Sequence, residues 1–266
     1  MKSLSSLLIT SAVIAVSSTA SAALVAGDIA LVGYQASGLT TDSFSFASLV
    51  NVDAGTVLYF TDNGFTTGSG FRGVSATDND GNEGLVKYTV GANGLAAGQV
   101  VSSLSTNTAN GAWTLSGLIF GTTVGSGSYA PLSFSSTGEQ FTVFQSSNAQ
   151  PMLSGYTALY NFDNTGAYEA ATTSGTGQLA PGLVGGTSAI LLPSPTGANF
   201  ANFNFSAFSG AADRATWLAR MGNSANWTTS AATTDVGDGS FSVGAVPTPG
   251  AVALLGLAGL ISRRRK

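Results

Sequence analysis

Short runs that alternate apolar and polar residues, each closed by glycine, asparagine, aspartate or serine, recur from residue 29 to residue 243. Side chains on a strand point to opposite faces in turn, so this period of two leaves the chain few options other than β-sheet. Ile29–Tyr34 is the first such run, and Phe44–Phe46 leading into Leu49-Val50 the second. Thr56–Thr61 is so densely apolar that it reads as a strand covered on both faces. Asp53-Ala54-Gly55 separates it from the second run at hairpin length. In 85–90, Val86, Tyr88 and Val90 oppose Leu85, Lys87 and Thr89, the pattern of a half-solvated strand. Further strands are expected at Gln99–Leu104, Ala112–Leu115, Leu132–Phe134, Gln140–Phe144, Tyr156–Phe162 and Ser188–Leu192. Ala198–Phe205 reads as a strand with Asn out and Phe in. One helix is expected over Ala211–Met221, with Ser209 as its cap, Arg220 at its C-terminal dipole and Gly222 just beyond. Ala211, Ala215 and Leu218 would share its buried face, with Trp217 and Met221 beside them. The pattern is that of an all-β sandwich or barrel. It is read as a sandwich of short antiparallel strands with one short helix near its C-terminal end.

The two ends of the chain do not belong to that pattern. Lys2, the apolar run Leu7–Val16 and the small residues Ala20-Ser21-Ala22 have the order of a secretory signal helix, cleaved before Ala23. At the other end Pro247-Thr248-Pro249-Gly250 breaks the chain and Ala251–Ile261 is uncharged and mostly apolar. Ser262-Arg263-Arg264-Arg265-Lys266 then closes it with four cations in a row. Eleven helical residues reach about 16 Å, short of the ~30 Å hydrocarbon layer. The reading divides the chain into a signal segment (1–22), a β-rich exported domain (23–244) and a tail (245–266) with a hydrophobic helix.

Breaker, apolar rod and arginine cluster together resemble the bacterial PEP-CTERM sorting signal. The residues that carry the likeness are Val246-Pro247-Thr248-Pro249, Leu254–Leu260 and Arg263-Arg264-Arg265; Thr248 stands where that family usually has Glu. The resemblance implies a partner, a membrane peptidase of the exosortase type. It also implies a route: transient residence in the inner membrane, then the cell surface or extracellular matrix. The body resembles a β-rich module recurring in exported bacterial proteins. The likeness rests on Gly27–Ala30, Asp42–Phe46, Ala54-Gly55-Thr56, Tyr59–Gly64, Glu83-Gly84, Pro181-Gly182-Leu183, Gly186-Thr187 and Asn226-Trp227. Its strand order is remotely similar to the immunoglobulin-like sandwich of lamin-tail domains.

Between the two signals only Arg72, Lys87, Arg214 and Arg220 are basic, against thirteen acidic residues, a net charge of −9. Such a surface repels nucleic acid and anionic headgroups and suits solubility or cation binding, and an extracellular polysaccharide is a candidate partner. The chain has neither cysteine nor histidine. That removes disulfides, Ser-His-Asp and Cys-His nucleophiles and histidine-ligated zinc. Asp78-Asn79-Asp80-Gly81-Asn82-Glu83 packs carboxylates and amides around a glycine, so Asp78, Asp80 and Glu83 form a candidate calcium loop or a plain acidic turn. Asp62 and Asn63 would join them if the loops meet. Asp163, Glu169, Asp235 and Asp238 could serve a glycosidase only as a pair across a cleft. Trp113, Trp217 and Trp227 could stack on sugars or fill the core. The residues favour a non-catalytic surface protein, structural or adhesive, with a glycan- or calcium-binding module as the alternative.

Overall fold

The computed structural model describes residues 23–36, 42–72, 83–114, 119–120, 127–128, 132–169, 176–193, 200–230 and 237–244. Residues 1–22 and 245–266, the two terminal signals of the sequence reading, lie outside them, as do Asp78, Asp80 and Asp235. The described chain is mostly β. Among the described residues there is one α-helix, and no helix is long and apolar enough to cross a membrane.

The strands form two six-stranded sheets. The first runs β15 (Trp227–Ser230), β14 (Phe200–Phe203), β1 (Ile29–Gln35), β2 (Ser43–Ser48), β7 (Gln99–Ser102), β16 (Gly239–Ser240). The second runs β13 (Ala189–Leu191), β12 (Tyr156–Asp163), β11 (Gln140–Ser146), β3 (Val57–Thr61), β6 (Leu85–Val90), β8 (Gly111–Thr114). Two small hairpins stand apart, β4 (Phe65–Thr66) with β5 (Gly70–Phe71), and β9 (Ile119–Phe120) with β10 (Gly127–Ser128). The six-stranded sheets are antiparallel except that β13 lies parallel to β12, because its chain arrives by a long connection and not by a hairpin. The expected hairpin at Asp53-Ala54-Gly55 is instead a passage between sheets: β2 belongs to the first and β3 to the second.

Inward rows of the two sheets meet in one aromatic core. Phe44 lies 5.0 Å from Phe60 and 4.8 Å from Phe141, Phe46 lies 5.3 Å from Tyr88, and Tyr34 stacks on Phe162 at 4.9 Å, all centroid to centroid. Each such ring removes roughly 150–250 Å² from water and gains further from tilted packing. A second, smaller cluster covers the opposite face of the second sheet. There Phe65 and Phe71 of the β4–β5 hairpin pack with Leu85, Phe144, Ala158 and Met152, and Tyr59 stacks on Phe144 at 5.5 Å. The apolar density of β3 therefore has its expected cause: Leu58 and Phe60 face one cluster and Tyr59 the other.

Four local expectations are corrected. The alternation in β12 breaks at Leu159, an extra residue in a bulge opposite Val143/Phe144, so Leu159 joins Tyr160 and Phe162 in the main core. In β14 the Phe/Asn repeat advances by three residues while the strand alternates by two. Ala201 and Phe203 are therefore buried, and Phe200 shares the half-covered face with Asn202. The helix α1 is shorter, Arg214–Met221, and is capped by Asp213, whose carboxylate accepts from Thr216 N–H at 2.7 Å. Ser209 cannot be the cap because Ala212 is extended and bridges Val243. The buried face of α1 is Trp217, Leu218 and Met221, with Ala211 and Ala215 exposed. Gly222 keeps a right-handed φ of −76°; it is glycine because a Cβ would come within 2.1 Å of the Gly186 carbonyl oxygen. Leu132–Phe134 is not a strand, for the reason given next.

Candidate functional site

Parity along β3 and β11 puts acids at the ends of the inward rows. Asp62 follows Leu58 and Phe60, and Glu139 precedes Phe141 and Val143, so both carboxylates are carried into the end of the core. Asp62 is fully buried and Glu139 nearly so. With Asp42 they hold one loop by three successive N–H groups. Ser133 N–H donates to Asp62 Oδ2 at 3.0 Å, Phe134 N–H to Asp42 Oδ2 at 2.5 Å, and Ser135 N–H to Glu139 Oε2 at 3.2 Å. These donors are spent on carboxylates, so this segment pairs with no strand despite its alternating sequence. The second oxygens are taken as well: Gly84 N–H donates to Asp62 Oδ1 at 2.5 Å and Gln140 N–H to Glu139 Oε1 at 2.9 Å. Tyr34 donates its hydroxyl to Ser135 O at 2.8 Å. The loop so held drives Phe134 into the core, 4.8 Å from Tyr34 and 5.0 Å from Phe141.

The electrostatics follow from burial. Desolvation pushes Asp62 up to about 7, against the pull of the Ser133 and Gly84 N–H groups. Glu139 stands well above the usual carboxylate range, through burial first and then the charges of Asp62 and Glu83. Tyr34 is raised by burial and then by Glu139, Asp42 and Asp62. The result is a clamp of backbone donors pointing at carboxylates, in which burial favours the protonated forms of Asp62 and Glu139.

Of the candidate calcium ligands, Asp78 and Asp80 lie outside the described residues, and Glu83 is half-buried next to Gly84, the donor to Asp62. Both oxygens of Asp62 accept backbone N–H groups, one of them from Gly84 beside Glu83. Among the described residues no group of three or more acidic side chains is placed to hold a metal. The sorting residues Pro247, Thr248, Pro249, Arg263, Arg264 and Arg265 lie outside the described residues too.

Of the hydrolase candidates, Asp163 and Glu169 lie close enough for the charge of one to be felt by the other, and Asp238 sits on the other sheet. Asp163 ends β12, Glu169 is exposed in the following loop, and Asp238 is tied to Ser102 N–H and the Ser105 hydroxyl beside β7 of the other sheet, both at 2.7 Å. Each tryptophan is spent on packing: the indole N–H groups of Trp113, Trp217 and Trp227 donate to Ser102 O, Ser242 O and Met221 O. Open depressions of about 350 and 210 Å³ flank Ala23. The larger is lined by Thr56, Gln145 and Ser146, the smaller by Asp28, Asn51 and Asp53.

A row on the outer face of the second sheet escaped the sequence reading. Gln140 and Asn161 are buried there with Asp163, which the sequence offers only as a hydrolase acid. Their parity was legible, since each neighbours an inward phenylalanine (Phe141 or Phe162), but their meeting depends on the register between β11 and β12. Comparison with protein-family models, with curated proteins and with solved structures returns no match.

Proposed function

We propose that this chain is an exported protein, sorted at the inner membrane by its C-terminal segment, and that its β-sandwich body serves at the cell surface or in the extracellular matrix as a structural or adhesive component. The observation that carries the reading is the pairing of a signal-like segment at 1–22 with a PEP-CTERM-like tail at 245–266 around a β body. The clamp supports a scaffold role, because Asp62 and Glu139 each hold backbone N–H groups on both carboxylate oxygens. The partner of the tail is a peptidase of the exosortase type. The extracellular partner is a polysaccharide or a neighbouring surface protein.

Cell fractionation with mass spectrometry of both chain ends tests this. Material beginning at Ala23 and found outside the cytosol is expected; uncleaved, full-length chain in the cytosol overturns the reading. A glycan-binding alternative is weakened by the burial of Trp217 and Trp227, with Trp113 half-buried against the core. A cation-binding alternative is favoured by one specific observation, the outer row.

A further inference from the structure

Orphaned polar atoms are rare in folded interiors, and four of those found here stand in one row. Four buried oxygens without a hydrogen-bond partner, Asn63 Oδ1, Gln140 Oε1, Asn161 Oδ1 and Asp163 Oδ2, come from adjacent strands and the end of β3. The register makes three of them neighbours. Gln140 stands directly opposite Asp163, and Thr142 directly opposite Asn161, whose amide N–H donates to the Thr142 hydroxyl at 2.9 Å. Cross-strand partners have Cβ atoms about 4.5–5.5 Å apart, and Asn161 and Asp163 are two residues apart on one face, about 6.6 Å along the strand. Asn63 follows Thr61, which opposes Thr142 from the other side, and so extends the row.

All four are acceptors. A carboxylate oxygen and amide carbonyl oxygens cannot satisfy one another. Asp163 sharpens the point: its Oδ1 already accepts from both the N–H and the hydroxyl of Thr165 at 2.7 Å, while Oδ2 is bare in a fully buried residue. The row is also roofed. Gly177 packs on the Gln140 amide so closely that a Cβ there would lie 3.0 Å from Oε1. The segment carrying it is anchored by Gln178, whose N–H donates to Phe65 O and whose side chain accepts from Thr67 N–H, both at 2.8 Å. Tyr168, with its own hydroxyl unpartnered, lies near enough to feel the charge of Asp163.

We propose that Gln140, Asn161 and Asp163 form a binding site for a hard divalent cation of the calcium class. The three unpartnered atoms are all oxygens, mixing carboxylate and amide carbonyl as calcium sites do, and an ion there gives a partner to three of the four orphans at once. One carboxylate with neutral oxygens places the site among the weak, extracellular, millimolar binders, with water completing the shell. Magnesium, which keeps its water and demands a strict octahedron, fits a sheet-borne row poorly. The site is separate from the acidic loop at 78–83 and does not rest on the sorting reading.

The test uses the purified full chain with terbium ions, whose emission tyrosine can sensitise, and with millimolar calcium against chelator. Terbium emission displaced by calcium is expected, together with a calcium-dependent rise of a few degrees in melting temperature. Asp163→Asn should abolish both responses, and its near-identical shape keeps the fold. Asp80→Asn with Glu83→Gln should leave both intact. Absence of both responses in the parent overturns the proposal and leaves ordered water as the occupant. Responses lost in the loop variant, or retained in Asp163→Asn, overturn it equally.

Discussion

The same strand ends carry buried acid on both faces of the second sheet, and the two faces treat it in opposite ways. On the inner face Asp62 and Glu139 have backbone N–H groups on every carboxylate oxygen. On the outer face Asp163 has one oxygen doubly satisfied and the other bare, among amides that offer it only further oxygens. Burying a polar group without a partner costs a few kcal/mol, so a fully partnered acid needs nothing more to explain it, and a half-partnered one does. The inner acids are structure. The outer acid is structure with a part missing.

The largest effect that could break this contrast lies at Phe134. If the clamp exists to seat that ring between Tyr34 and Phe141, Phe134→Ala should cost about 3–5 kcal/mol in denaturant unfolding. A loss under about 1 kcal/mol would show that the carboxylates hold a loop with no weight in the core.

How far the sequence leads can be judged from the same residues. Strands with an unbroken period of two, β3, β6 and β11, are legible because alternation is a local property, whereas β1, bulged at Val32, is legible by its apolar density. The Leu132–Phe134 run has the same local signature but is no strand, since only tertiary structure shows that its N–H groups go to Asp42, Asp62 and Glu139. The start of α1 was misplaced because Ser209 caps as well on paper as Asp213; the bridge from Ala212 to Val243 decides between them. Inward parity announces the clamp acids, which stand in step with Phe60 and Phe141. The outer row was not announced, because the bulge at Leu159 and the pairing of Gln140 with Asp163 are facts about two strands at once.

The second prediction separates the faces by pH. Asp62 has a folded pKa of about 7 against 3.8 for the free side chain, so between those values the folded chain holds a proton that the unfolded chain has released. Stability from this group is therefore greatest below about pH 4 and falls as pH rises through about 7, by a few kcal/mol in all. Glu139 acts in the same direction, and Asp163, raised to about 6 by burial, adds a smaller part. Unfolding midpoints in chelator across this range should decline with pH. Asp62→Asn, which keeps an acceptor for one of the two N–H groups, should remove the Asp62 share of the decline and leave the shares of Glu139 and Asp163. A parent whose stability rises over the same interval would mean that the clamp holds its acids ionised.

The smallest effect is the most discriminating, because its sign is at stake. Replacing a buried, hydrogen-bonded acid ordinarily destabilises a protein. At Asp163 the reverse is expected when no cation is present. In Asp163→Asn the amide oxygen can still accept from Thr165, while the new N–H₂ replaces the bare oxygen and can donate to Gln140 Oε1 or Asn161 Oδ1, both without partners. Such a bond is worth about 0.5–1.5 kcal/mol, and removing a half-desolvated charge adds to it, so the variant should unfold about 1 kcal/mol later than the parent in chelator. In calcium the order should invert, since the parent alone gains the ion. Asp62→Asn offers the matching control: its amide puts a donor against the N–H group of Gly84 or Ser133, so at high pH, where the parent is charged, its gain is offset by that lost bond. If Asp163→Asn is the less stable protein with and without calcium, the outer acid is held by its surroundings as well as the inner ones are, and the two faces of the sheet are alike.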